Sequence, residues 1–367
     1  MATQKIGIAI LGAGIFAREQ HLPAIQACSS LELKAIYSRS QKSASALASI
    51  ASSSSSSTID VYSDDSSAAH NLDALLSRSD IQAVIIALPI TSQPAIVKRA
   101  LSAGKHVLSE KPIAPTVDAA RELLAHYDSL PTSSRGLWSI AENFRFEPHL
   151  VRASELVQSS VGPITSFSLT MLTSVEQDNK WLNTSWRAEP THPGGFVLDG
   201  GVHSAAGLRL ILGKEIEKVN SRTRIVREYL GGVDTVHAVC TTSDGVDGAF
   251  TMSFASAYER NEILVVGEKG SVLVDGKIVT LLSPSGEIVT RDSYESEPAP
   301  GEKKIGSEPG VEAVGAEVKE FAEAILRASV DEERSGVRTA VRDLALIEGL
   351  LRSGEKGGEV VVLDNEV

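Results

Sequence analysis

From Lys5 to about Phe144, short apolar runs alternate with stretches of helical periodicity, and that alternation leaves few folds open to the chain. Repeated strand–helix–strand units pair their strands in parallel and cover both faces of the sheet with helices. The candidate strands are Ile6 to Leu11, Leu31 to Tyr37, a weaker Ile59 to Tyr62, Ala83 to Leu88, His106 to Leu108 and Leu137 to Asn143. The central ones are continuously apolar, as doubly covered strands are. Helical patterns at Thr116 to Asp128 and Phe146 to Ser159 flank the last strand. The reading is an α/β chain: a Rossmann-like domain over residues 1–145, then a second domain over residues 146–367.

Beyond Pro163 the texture changes. Strand-like stretches follow one another at Thr165 to Ser174, Ile216 to Glu228, Thr235 to Thr242, Ala249 to Ala257, Glu262 to Val266 and Ser271 to Val274. Strands without intervening helices imply a largely antiparallel open sheet. A helix of about Gly200 to Leu212 interrupts the series, and helices of roughly Glu312 to Ser329 and Gly336 to Arg352 follow an acidic, proline-containing stretch from Ser293 to Pro309. The serine run from Ala51 to Thr58 reads as a surface loop that is silent in function.

A chain of 367 residues exceeds what one core sustains, which supports two domains. A formal net charge of −12 weighs against nucleic acid, whose phosphates require a basic face. The two cysteines, Cys28 and Cys240, make neither a disulfide framework nor a metal knuckle, so no metal is expected and a reducing, cytoplasmic setting fits. Met1 to Lys5 lead almost at once into a strand without the pattern of a secretory leader, and no apolar run approaches the ~20 residues of a membrane span.

Two distant segments carry the chemistry. Gly12-Ala13-Gly14-Ile15-Phe16-Ala17 follows the first strand and opens a helical pattern, the context in which glycines admit a pyrophosphate to a helix N-terminus. Gly12, Gly14, Ile15 and Phe16 are the expected cofactor contacts, against the plainer reading of a tight turn without ligand. An NAD site would place a carboxylate at the end of the second strand. Here that place reads Tyr37-Ser38-Arg39-Ser40, and the hydroxyl and guanidinium of Ser38 and Arg39 suit a 2′-phosphate, which favours NADP(H) over NAD(H). The alternative is that Arg39 merely solvates a helix start. Leu88 and Pro89 at the end of the fourth strand, Glu110 and Lys111 after the fifth, and Asn143 after the sixth complete the cofactor contacts.

The second segment is Gly194-Gly195-Phe196-Val197-Leu198-Asp199-Gly200-Gly201-Val202-His203. Asp199 and His203, four residues apart, share a helix face. Reduction of a carbonyl leaves an alkoxide that must be protonated, work that a histidine does near neutral pH. A lysine at position 111 could polarise the same oxygen. Each has a plainer explanation: Asp199 as a helix N-cap, His203 as a satisfied interior residue, Lys111 as a solvated loop cation. Trp181, Trp186, Arg187 and His192 lie just upstream, and Trp186 and Arg187 are candidate substrate contacts. His21 is left without a role.

These residues together resemble the glucose-fructose oxidoreductase, inositol dehydrogenase and rhizopine catabolism (Gfo/Idh/MocA) family. The likeness is carried by Gly12 to Ala17, Glu110-Lys111-Pro112, Asn143-Phe144-Arg145-Phe146, Trp186-Arg187 and Gly194 to His203. It implies a Rossmann domain followed by an α/β domain whose open sheet often supports dimers or tetramers. It also implies Lys111 as the catalytic lysine, Asp199 as the substrate-orienting carboxylate and His203 as the acid/base. One departure follows the fourth strand: where members often carry Pro-Asn and then His, this chain has Pro89-Ile90-Thr91-Ser92-Gln93. The expected activity is NADP(H)-dependent hydride transfer to or from a carbonyl or secondary alcohol of a sugar, polyol or aldehyde. Redox-neutral enzymes of the family and non-enzymatic dinucleotide-binding regulators are the alternatives.

Overall fold

The computed structural model describes residues 5–53, 58–295 and 311–365. The chain divides into two compact units. The first comprises Met1–Ala114, Asp118–Asn143 and Val311–Ala340, and the second Pro115–Val117, Phe144–Gly310 and Val341–Val367. The break after Asn143 falls two residues before the boundary read from the sequence, and residues 311–340 return to the first unit.

Six parallel strands build the first unit: β1 (Ile6–Leu11), β2 (Leu31–Ser38), β3 (Asp60–Ser63), β4 (Ala83–Ile86), β5 (His106–Glu110) and β6 (Trp138–Ala141). Their order is β3-β2-β1-β4-β5-β6, so the winding direction reverses between β1 and β4. Such a reversal opens a crevice at the carboxyl ends of the two strands, where ligands of doubly wound folds bind. Every residue of β1 and of β4 is buried, which explains their unbroken apolar sequences. One helix covering this sheet comes from far along the chain: Val314, Val318, Phe321 and Ala322 of Val311–Arg327 pack into the core containing Ile8, Ile10, Ile36 and Ile85.

The second unit holds a nine-stranded sheet of β7 (Ile164–Ser174), β8 (Ile216–Arg224), β9 (Thr235–Thr242), β10 (Asp247–Ser253), β11 (Ala255–Gly267), β12 (Gly270–Asp275), β13 (Ile278–Leu282), β14 (Ile288–Ser293) and β15 (Val361–Val362). The order is β14-β13-β12-β11-β7-β10-β9-β8-β15, antiparallel except for the central β7–β10 pair. Alternating burial gives the sheet two faces. Phe250 and Met252 are buried, while Val239 and Tyr258 are half or more exposed. The two strands expected over Ala249 to Ala257 and Glu262 to Val266 are instead β10 and the long β11, broken at Phe254. β13, β14 and β15 go beyond the strands read from the sequence.

The expected serine loop begins later than its composition suggests. Ala51–Ser53 close the helix Gln41–Ser53, anchored by buried Ala44, Leu47, Ala48 and Ala51, and Ser54–Ser57 lie outside the described residues. Most of the acidic stretch from Ser293 to Pro309 also lies outside them. No helix among the described residues is long and apolar enough to cross a membrane.

A buried charge cluster organises the second unit. Asp343, 1% exposed, accepts two hydrogen bonds from Arg145 Nη2, at 2.7 and 2.8 Å, and a third from Arg209 Nη1. Arg209 also grips Glu215 through Nε at 2.9 Å and Nη2 at 2.8 Å. Removing one partner of such a cluster strands the other charges in a dry interior. Asp343→Ala is therefore expected to destabilise the second unit by about 3 to 5 kcal/mol, read as an earlier denaturant midpoint. An unchanged midpoint would show that the arginines find other partners.

Candidate active site

The glycine turn is shaped by one close approach. A Cβ on Gly12 would lie 2.1 Å from the Ala87 carbonyl oxygen, and φ there is +124°, so no other residue fits without moving β1 from β4. The Gly12 N–H donates to the Tyr37 carbonyl at 2.8 Å, fixing the turn against β2. Gly14 differs: a Cβ there would meet nothing within 4 Å, leaving the space above it open. Ile15 and Phe16 lead into a π-helical turn, Ala17–His21, that runs directly into the helix Leu22–Ala27. The side chain of Leu88 borders Gly12, and Pro89 begins the turn that enters the helix Gln93–Ser102.

At the end of β2 stand Ser38, half-buried, and Arg39, exposed. Tyr37 donates its hydroxyl to Asp64 Oδ1 at 2.7 Å, and burial together with that acid raises its pKa above the ordinary phenol range. The Gln41 N–H donates to Asp65 Oδ1 at 2.7 Å. Two carboxylates beside this strand end, Asp64 and Asp65, thus come from the segment after β3, and each accepts a hydrogen bond from the protein.

Glu110, the last residue of β5, accepts from His21 Nε2–H at 2.7 Å and, through its other oxygen, from the Lys111 N–H at 3.2 Å. His21 is fully buried, its ring and that of Phe16 meeting edge to face with centroids 5.1 Å apart, and its Nδ1 lacks a hydrogen bond. The Lys111–Pro112 peptide is cis. Asn143, 2% exposed, ends the first unit, and its Nδ2 is a buried donor without an acceptor. The open space above Gly14 and that donor both fit a bound nicotinamide dinucleotide: room at the phosphate turn and an amide for the carboxamide. Nearby, Glu317 of the helix Val311–Arg327 is 1% exposed. Burial first, and then the charges of Glu110 and Glu142, push its carboxyl well above the ordinary value of 4.5.

The second unit supplies the other group of residues. Asp199 ends the helix Gly195–Asp199, and Gly200, itself helical at φ −88°, joins it to Gly201–Leu212. Asp199 is thus within helical backbone rather than an N-cap. Its Oδ2 accepts from Arg187 Nε at 2.6 Å in a largely buried ion pair. The two glycines bring this helix onto the sheet: a Cβ at Gly200 would lie 2.8 Å from the Phe254 ring, and one at Gly201 2.8 Å from Met252 Sδ. His203, one turn on from Asp199, is half-buried and stacks on Phe144 with centroids 4.5 Å apart and planes 19° from parallel. The neighbouring Arg145 is committed to Asp343.

Arg187 is itself held in place by aromatic neighbours. Its guanidinium lies 3.9 Å from the centre of the Trp186 ring and 5.5 Å from that of Trp181, so two indoles hold the cation that holds Asp199. His192 approaches Trp186 at 6.0 Å, and burial keeps its imidazole below the ordinary range against the opposing bond to Gly195 O. Among the described residues no group of His, Cys, Asp and Glu could hold a metal ion.

Comparison with known proteins matches both units. Residues 6–132 match the oxidoreductase family with NAD-binding Rossmann fold, and residues 150–273 match the GFO/IDH/MocA C-terminal domain. The dehydrogenase FPY6 of Fusarium mangiferae is 40% identical over 98% of this chain and 100% of its own. A 3-reductase of dTDP-3,4-didehydro-2,6-dideoxy-α-D-glucose from Actinomadura kijaniata is 33% identical over 51% of this chain and 54% of its own. An oxidoreductase from Thermotoga maritima superposes with a TM-score of 0.82 at 29% identity, covering 98% of each chain.

Glu317 makes a pH prediction with a definite sign. Its folded pKa lies above its unfolded one, so its contribution is intact below about pH 4.5 and stability declines as pH rises toward the folded value. Glu317→Gln removes that decline. The variant is expected to melt above wild type at about pH 7 and level with it near about pH 4; a gap that does not change with pH would refute the assignment.

Proposed function

The chain belongs to the Gfo/Idh/MocA family of NAD(P)-dependent oxidoreductases, and from that membership we propose that it transfers a hydride between NADP(H) and a carbonyl or secondary alcohol of a small molecule, a sugar, polyol or aldehyde. Bound nicotinamide supplies or accepts the hydride. Gly12, Gly14, Ile15 and Phe16 hold its phosphates, Leu88, Pro89, Glu110 and Lys111 border it, and Asn143 offers its buried amide donor. The preference for NADP(H) rests on Ser38 and exposed Arg39 at a strand end that carries no carboxylate of its own.

The observation that carries the catalytic reading is the Arg187–Asp199 pair, one helical turn before His203. An arginine bonded at 2.6 Å keeps Asp199 an acceptor, which orients a substrate hydroxyl and leaves proton exchange with the reacting oxygen to His203. Lys111 polarises that oxygen. Trp186 and Arg187 serve the substrate through Asp199: the indole holds the guanidinium and the guanidinium holds the carboxylate. A regulator that bound dinucleotide without catalysis would have no use for a proton-exchanging imidazole beside this carboxylate.

A carbonyl-bearing sugar is a natural first substrate class, since the Actinomadura relative is a reductase of a didehydro sugar. The unpaired Cys28 and Cys240 support a reducing, cytoplasmic setting, and the exposed apolar side chains of Val239 and Tyr258 on the second sheet support a homodimer or homotetramer.

NADPH and NADH consumption over a panel of aldehydes, ketones and keto-sugars tests the reading. Lys111→Met and His203→Ala are each expected to lower kcat by about 100-fold or more. Arg39→Ala should raise the KM for NADPH by about tenfold and leave that for NADH unchanged. Turnover surviving both catalytic substitutions would refute the assigned residues, and tight NADPH binding without net consumption would favour the redox-neutral class.

A further inference from the structure

We infer that Gln93 is a positioning residue for Lys111, acting with the His21–Glu110 pair to fix the lysine's backbone on both sides. The inference rests on the proposed role of Lys111. Gln93 opens the helix Gln93–Ser102 and is 1% exposed. Its Nε2 donates to the carbonyl of Glu110 at 2.5 Å and to that of Pro112 at 3.1 Å. One amide therefore spans Lys111 and ties down the peptide oxygens of the residues before and after it. On the lysine's amide side, Glu110 accepts the Lys111 N–H at 3.2 Å, and His21 holds that carboxylate from the π-helical turn after the glycine loop.

Positioning is what this arrangement supplies. A lysine side chain has four rotatable bonds, so its ammonium is placed reproducibly only if the backbone beneath it is fixed. Burial alone would favour an apolar side chain at position 93, because Gln93 Oε1 is left without a hydrogen bond in a dry environment. The two donors of its amide are the compensation, and both go to the Lys111 turn. An imidazole at this place has at most two N–H groups pointing apart and could not grip both carbonyls in this way.

The test compares Gln93→Leu, which keeps volume and removes both donors, with Gln93→His, which returns an N–H. Two readouts are needed: steady-state kinetics with NADPH, and the rate of acylation of Lys111 by an amine reagent at fixed pH, followed on its peptide by mass spectrometry. In Gln93→Leu, kcat is expected to fall at least about tenfold with KM and NADPH affinity within about twofold, and the acylation rate to shift; Gln93→His should recover part of both. Unchanged kcat and acylation, or a loss confined to KM, would overturn the inference. If wild type turns over no substrate, the functional reading fails by itself, and acylation still decides this one. If Gln93→Leu does not fold, Gln93→His and His21→Gln give the same comparison, with an unaltered Lys111 rate in both counting against the proposal.

Discussion

The Ala87 carbonyl sits where any side chain at position 12 would have to be, and the first unit is arranged around that contact. β1 and β4 can lie side by side with their carboxyl ends level only because Gly12 has no Cβ. Their adjacency marks the reversal in strand order, the place where doubly wound folds open a crevice, and a Cβ at Gly14 would meet nothing within 4 Å there. Leu88 beside Gly12 and Lys111 at the end of β5 owe their places to the same strand packing.

Much of this was legible beforehand, for a physical reason. Doubly covered parallel strands are apolar along their whole length, and the central β1 and β4 announced themselves that way. The second sheet was read less well where alternation is weak. β14 leaves Ile288 and Val289 exposed, and β15 is two residues long, so neither has the buried face that makes a strand visible in sequence. Ala51 to Ser53 looked like loop because serine is poor at burial, yet Ala44, Leu47, Ala48 and Ala51 carried the helix through them.

The site shows the same division. Lys111, Asp199 and His203 stood out because their chemistry is uncommon in their local contexts. What supports them did not. Gln93 drew notice only as a departure from the family pattern, His21 had no assignment, and Asp343 lies far along the chain from Arg145 and Arg209. A hydrogen bond between distant residues leaves no periodicity to read, and the signal available was Glu317, a carboxylate on the apolar face of Val314, Val318 and Phe321.

The route of the chain has a consequence for its biogenesis. The first unit lacks part of its wall until the helix Val311–Arg327 arrives with Val314, Val318, Phe321 and Ala322. At about 5 to 20 residues per second, the segment between Asn143 and Val311 takes on the order of ten seconds to synthesise. Throughout that interval the emerging first unit leaves uncovered the core residues that Val314, Val318, Phe321 and Ala322 will pack against, so its apolar core is completed only late in synthesis.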